Sequence, residues 1–151
     1  MTTQNLNDFF REKRAHAGAD NTDWQRKTRD WIAATDQLYD EIRKLLDAPI
    51  SNGSVVVDFR PKTITEDFMG TYTVRELVLR VGEEIAVFSP KGRNIVGASG
   101  RVDLTGEMGE ATLVLQPGPR WAVVAQRVPV LRLVPLEQES LLAALRSVMR
   151  P

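Results

Sequence analysis

Cysteine is absent from this 151-residue chain, and histidine occurs only once, at His16. The missing thiols exclude disulfide bonds, thiolate catalysis and cysteine-containing zinc sites. His16 lies in the polar stretch HAGADNTD, where we expect a solvated side chain rather than the positioned base of a catalytic triad. We therefore predict no catalytic, cofactor-binding or metal-binding residue, and we expect that the protein is not an enzyme.

An excess of charge of one sign is also missing. Lys and Arg together number 20, as do Asp and Glu, so the formal net charge is zero. A dedicated nucleic-acid binder usually carries a basic excess, because neutralising phosphates supplies much of its affinity. The composition gives no such signal for nucleic acid.

Long apolar runs are missing as well. The N-terminus MTTQNLNDFF has neither the basic start nor the apolar stretch of a signal peptide. No run approaches the roughly 20 apolar residues of a transmembrane helix. We expect a cytoplasmic protein, of a bacterial protein system, that does not bind membranes.

The residues that are present predict one domain of ordinary composition. Hydrophobic residues make up 42% of the chain and charged residues 26%, both close to globular averages. We divide the domain 1–151 into a helical N-terminal segment at 1–48, an antiparallel β region at 54–135 and a C-terminal helix at 137–150.

Two helices are predicted at the N-terminus. The first carries apolar side chains on one face, at Leu6, Phe9 and Phe10. The stretch Ala15–Asn21 contains Gly18 and is predicted to break it, and Thr22 or Asp23 is expected to cap the second helix.

The second helix is long and amphipathic. Apolar side chains recur along it at intervals of seven, at Trp24, Trp31, Leu38 and Leu45. Such a stripe faces a core or a partner helix, and Pro49 is expected to end it. Two roles stay open for this helix. It packs on the chain's own sheet, which is the role we favour, or it forms a dimer seam.

From Ser54 onwards the apolar period changes to that of β-strands. Alternating segments follow one another at short spacing, at Val55–Arg60, Thr71–Val81, Ile85–Phe88, Asn94–Val96, Arg101–Thr105, Ala111–Gln116, Trp121–Gln126 and Val130–Val134. The connections are too short for crossover helices, so neighbouring strands should be antiparallel.

These elements predict an α+β fold. N-terminal helices, one of them long and amphipathic, would pack on a meander of about seven or eight strands curled into a roll or partial barrel. The amphipathic helix Glu137–Met149 would close it. The order of elements resembles pleckstrin-homology-like modules in architecture alone, and that resemblance implies no functional residue.

Five residues are candidates for contact with a ligand or partner: Arg75, Arg93, Arg101, Asp103 and Trp121. Arginines suit carboxylates and phosphates, and Trp is favoured in the centre of interfaces. Arg101 and Asp103 are two residues apart and should share a strand face, where ordinary cross-strand ion pairing is the competing explanation.

We therefore predict a non-catalytic binding or assembly module acting through protein–protein contacts, with a possible homodimer. Its contacts would be made by edge strands, the open sheet face or the N-terminal helices. The alternative is a β cup for a small apolar or anionic ligand, in which Arg75, Arg93 or Arg101 holds the charge. An enzyme or a nucleic-acid binder is the weaker alternative.

Overall fold

The computed structural model describes residues 3–66, 70–92 and 100–151, except for the side chains at 3–5, 12 and 14–23. The predicted strand Asn94–Val96 lies outside the described residues. In chain order the elements are α1 (Thr3–Leu45), α2 (Asp47–Ser51), β1 (Val56–Glu66), β2 (Gly70–Val81), β3 (Glu84–Gly92), β4 (Arg101–Gly106), β5 (Gly109–Gln116), β6 (Arg120–Gln126), β7 (Arg132–Pro135) and α3 (Gln138–Val148).

The seven strands form one antiparallel sheet in sequence order, which confirms the predicted α+β class and meander. In the part of the chain that the structure describes, β1 and β7 are the two edges and do not pair with each other, so the sheet is not closed into a barrel. Short turns produce this order, because each returns the chain beside the strand that it has just left.

Two residues in the first three strands and their turns have conformational requirements that the fold meets. Pro61 lies within β1, which extends beyond the predicted segment Val55–Arg60. A proline has no N–H to donate and is tolerated because β1 is an edge strand. The turn between β2 and β3 uses Gly82 at φ +62°, a left-handed conformation that glycine adopts without steric cost.

The predicted break in the N-terminal helix is wrong. α1 runs without interruption from Thr3 to Leu45, so Thr22 and Asp23 are not N-caps. One glycine inside a helix costs only about 1 kcal/mol, and Gly18 is flanked by alanines, the best helix formers. No proline is present in this stretch to make the cost larger.

The predicted end of the helix at Pro49 is also wrong. α1 ends at Leu45, and Pro49 lies inside the short helix α2. Pro49 is the third residue of α2, in the first turn, where the missing N–H has no intrahelical acceptor to lose. The helical segment therefore extends to Ser51.

The second half of α1 packs on the chain's own sheet. Its side chains at Trp31, Leu38, Tyr39 and Ile42 are fully buried and belong to the same core cluster as the sheet residues. Tyr39 also donates a hydrogen bond of 2.6 Å to the carbonyl oxygen of Arg75 on β2. The sheet side of the core is formed by Leu77, Leu79, Ala86, Phe88, Val102, Leu104, Leu113, Leu115, Trp121 and Val123.

Trp31 packs tightly between α1 and the sheet. Its ring centroid lies 6.0 Å from that of Trp121, whose indole N–H donates a 3.1 Å hydrogen bond to the carbonyl oxygen of Ala34. On the sheet, Gly100 faces the Trp31 ring so closely that a Cβ there would lie 2.2 Å from Cζ3. Only a residue without a side chain fits at this position.

Helix α3 closes the core from the other end of the chain, as predicted. Leu141, Ala144 and Val148 are buried in the core cluster. A capping box between Glu137 and Ser140 begins the helix, satisfying amide donors that would otherwise lack partners.

We expect the Gly100→Ala variant to lower the free energy of unfolding by about 1–3 kcal/mol, because the added methyl group overlaps the Trp31 ring. Urea denaturation of the two single variants and the double variant measures this. In a Trp31→Phe background, where the overlapping ring atoms are removed, Gly100→Ala should cost much less. Additive effects of the two substitutions would contradict the predicted contact.

Candidate functional site

A row of three buried polar side chains crosses the middle of the sheet. Ser89, Asp103 and Thr112 lie directly opposite one another on β3, β4 and β5. Paired residues of neighbouring strands point to the same side of a sheet. The three residues are only 7%, 5% and 4% exposed, so their polar atoms need partners within the protein. We call these three residues the polar row.

Basic side chains supply partners at the Ser89 end of the polar row. The Lys62 Nζ atom donates hydrogen bonds of 2.8 Å to the Ser89 hydroxyl and 2.8 Å to the carbonyl oxygen of Pro90. Lys62 comes from β1, which is separated from β3 by β2. The side chain therefore reaches across a whole strand to a neutral acceptor.

Asp103 and Thr112 are also bound by guanidinium groups. Arg101 holds the Asp103 carboxylate with two hydrogen bonds, of 2.7 Å from Nε and 3.1 Å from Nη2. The hydrogen bond to Asp103 raises the pKa of Arg101. The Thr112 hydroxyl lies 3.4 Å from the same carboxylate, and Arg127 donates a hydrogen bond to that hydroxyl. The row is thus bordered by cations.

Glu76 joins the Ser89 end of the row to β2. Its carboxylate accepts a 2.6 Å hydrogen bond from Arg60 Nε. Burial opposes the ionisation of Glu76, but hydrogen bonds from Ser89 and Arg60 outweigh it, so the pKa of Glu76 lies below its ordinary value. Glu76 is therefore held as a carboxylate between two donors.

An open depression of about 430 Å³ lies beside the Ser89 end of the polar row. This size is within the range of small-molecule sites. Its rim also carries Glu107, whose carboxylate is 2.9 Å from the Arg150 guanidinium. The depression is lined by Arg60, Glu76, Ile85, Val87, Ser89, Lys91, Thr105, Gly106 and Glu107.

The predicted candidates do not form one site. Arg75 lies on the α1 side of the sheet, bound to Asp36 at 3.0 Å, whereas Arg101 and Asp103 point to the other side. Trp121 is 5% exposed and contacts the core, so packing accounts for it. Arg93 lies outside the described residues. Among the four described candidates, only Arg101 and Asp103 meet, on the strand face that their spacing predicts.

The predicted candidates do not include Lys62, Ser89, Thr112 and Arg127, which complete the hydrogen bonds of the row. One signal for Thr112 exists in the sequence. Counting outwards from the turn between Gly106 and Gly109 places Asp103 opposite Thr112. The other three are brought to the row only by the folded sheet.

A second, apolar feature lies away from the sheet. Near the start of α1, Leu6, Phe9 and Phe10 are 46%, 55% and 64% exposed. We call these three residues the N-terminal apolar cluster. Another exposed apolar group, Val128, Val130 and Leu131, precedes β7 in place of the predicted strand start at Val130. Exposed apolar clusters of this kind mark contact surfaces more often than isolated residues do.

Among the described residues, no group of three or more His, Asp or Glu side chains is arranged to hold a metal ion. No helix in the described part of the chain is long and apolar enough to cross a membrane.

No protein-family model, curated protein or solved structure matches this chain. The residues themselves are therefore the basis for any functional proposal.

We expect Asp103→Ala to lower the free energy of unfolding by about 1–3 kcal/mol, because it leaves Arg101 and Thr112 without their acceptor. The matched control is Asp58→Ala, which removes an ion pair with Arg80 of the same 2.7 Å length, although both side chains are about half exposed. That variant should cost about 0–1 kcal/mol. If urea denaturation showed equal losses of unfolding free energy in the two variants, burial of the Asp103 ion pair would have no special role.

The lowered pKa of Glu76 predicts that the stability of the protein depends on pH. Its folded pKa lies below the unfolded value near 4.5, so its contribution is present above that pH and is lost as the pH falls through the folded pKa. Glu76→Gln should therefore destabilise the protein most near neutral pH, with a difference that shrinks in acid. Denaturation between pH 3 and pH 7 measures this, with the exposed turn variant Glu83→Gln as control. A constant difference over this range would contradict the assignment.

Proposed function

We propose that this chain is a non-catalytic assembly module that pairs with a second copy of itself through the first half of α1. The observation that carries the proposal is the exposure of the N-terminal apolar cluster. Leu6, Phe9 and Phe10 are spaced i, i+3 and i+4, so they lie on one face of the helix. An apolar helix face of this kind is stabilised by contact with another protein surface.

The length of α1 supports the same proposal. A helix of 43 residues is about 65 Å long. Among the described side chains of α1, complete burial begins only at Trp31. The sheet therefore covers the second half of the helix, while Leu6, Phe9 and Phe10 in the first half are exposed to solvent.

Charged side chains near the N-terminal apolar cluster leave its apolar face available. Asp8 and Arg11 pair with each other at 3.7 Å, and the helical period places both on the opposite side of α1 from the cluster. Lys13 lies beside the cluster, with its Nζ atom 5.8 Å from the centroid of the Phe9 ring. In a two-fold pair the same face of each copy meets that of the other, so the phenylalanine rings would pack between the helices.

Native mass spectrometry and light scattering test the proposal. We expect a dimer of about twice the 16.9 kDa chain mass. The double variant Phe9→Ser, Phe10→Ser removes four rings from the contact and should raise the dissociation constant by at least about 100-fold. Circular dichroism checks that the variant keeps its helix content.

The matched control is Val130→Ser, Leu131→Ser, which removes two exposed apolar side chains far along the chain. It should leave the dimer unchanged. A wild-type protein that stays monomeric at about 100 µM would contradict the proposal. So would a control variant that abolishes the dimer while the phenylalanine variant retains it.

A further inference from the structure

Two ammonium groups lie together at the Ser89 end of the polar row. Lys91 lines the depression, and its charge acts on Lys62, whose Nζ atom is bonded to the Ser89 hydroxyl on the same rim. In the part of the chain that the structure describes, neither ammonium group forms an ion pair with a carboxylate. Among the described residues, their positive charges are therefore not matched by a paired carboxylate.

Three carboxylates near these two lysines are already paired with guanidinium groups. Glu76 accepts from Arg60 at 2.6 Å, and Asp103 is held by Arg101. Glu107, on the opposite rim, is 2.9 Å from Arg150. Since each of these three carboxylates has its own guanidinium, none of them is the ion-pair partner of either lysine.

Lys62 is held in place before any ligand arrives. Its two hydrogen bonds go to a hydroxyl and to a backbone carbonyl, which fix the ammonium without neutralising it. Burial and the neighbouring Lys91 both lower the pKa of Lys62. The charged form of Lys62 is thus disfavoured by its surroundings, and a bound anion would relieve that cost.

Arg60 adds donors on the same rim. Its hydrogen bond to Glu76 uses Nε, and the side chain is 57% exposed. The terminal nitrogens of the guanidinium can therefore donate to a ligand in the depression. A guanidinium and two ammonium groups are the side chains that bind phosphate oxygens most strongly.

We propose that Lys62, Lys91 and Arg60 bind the phosphate group of a small phosphomonoester in the depression beside Ser89. A phosphomonoester carries nearly two negative charges above its second pKa of about 6, which suits a site with two lysines. The volume of about 430 Å³ accommodates the rest of a small molecule. This site is separate from the N-terminal apolar cluster and does not depend on dimer formation.

Titration of the full chain with inorganic phosphate at pH 7.5 and constant ionic strength, monitored by NMR chemical shifts, tests the proposal. We expect saturable binding of one phosphate per chain, with shifts centred on β1 and β3. Lys62→Gln and Lys91→Gln should each weaken binding by about tenfold or more, because each removes a charge-assisted contact. The control is Lys44→Gln, which changes an exposed lysine on α1 and should bind as the wild type does.

A second measurement separates binding from folding. Phosphate should raise the melting temperature of the wild type and of Lys44→Gln but not of Lys62→Gln, with chloride at equal ionic strength as reference. Unchanged affinity in both Lys62→Gln and Lys91→Gln would overturn the proposal, as would linear, non-saturating shifts. Tighter binding of a single-stranded oligonucleotide, lost in the same variants, would overturn the small-molecule assignment in favour of nucleic acid.

Discussion

The contact of Trp31 with Gly100 and Trp121 is the constraint on which the arrangement of helix and sheet depends. A large indole ring on α1 requires a position on the sheet with no side chain, and Gly100 supplies it. Trp121 then fixes the direction of approach, because its N–H is bonded to the backbone of α1 at Ala34. Since these contacts all lie in the second half of α1, they hold one end of a long helix and leave the other end without support from the sheet.

The two proposed surfaces follow from this arrangement. α1 covers the side of the sheet that carries Leu77, Phe88 and Leu104, so the polar row on the other side stays clear of the helix. The first half of α1 carries Phe9 and Phe10 beyond the region where the sheet could bury them. The proposed self-association and the proposed anion binding therefore involve separate parts of the molecule, so substitutions can test each without affecting the other.

The sequence predicts the order of the strands well because each antiparallel turn is local. It predicts that Arg101 and Asp103 share a face for the same reason. The break at Ala15–Asn21 was wrong because one glycine and a polar stretch cannot outweigh the surrounding helix formers. The contact between Lys62 and Ser89 could not be predicted, since it spans two strands and depends on how the sheet curls.

The buried side chains of the polar row also have a structural role, which is to fix the register of the strands. Along β3 and β4 the row alternates with core residues, since Phe88 and Leu104 pair directly beside Ser89 and Asp103. A slip of one residue would turn the Asp103 carboxylate into the apolar core and Leu104 out of it, at a large cost in free energy. The hydrogen bonds that keep the row satisfied therefore also fix the strand register. That same register places Ser89 where Lys62 can bind it. Correct pairing of the strands therefore also brings together the side chains of the proposed phosphate site.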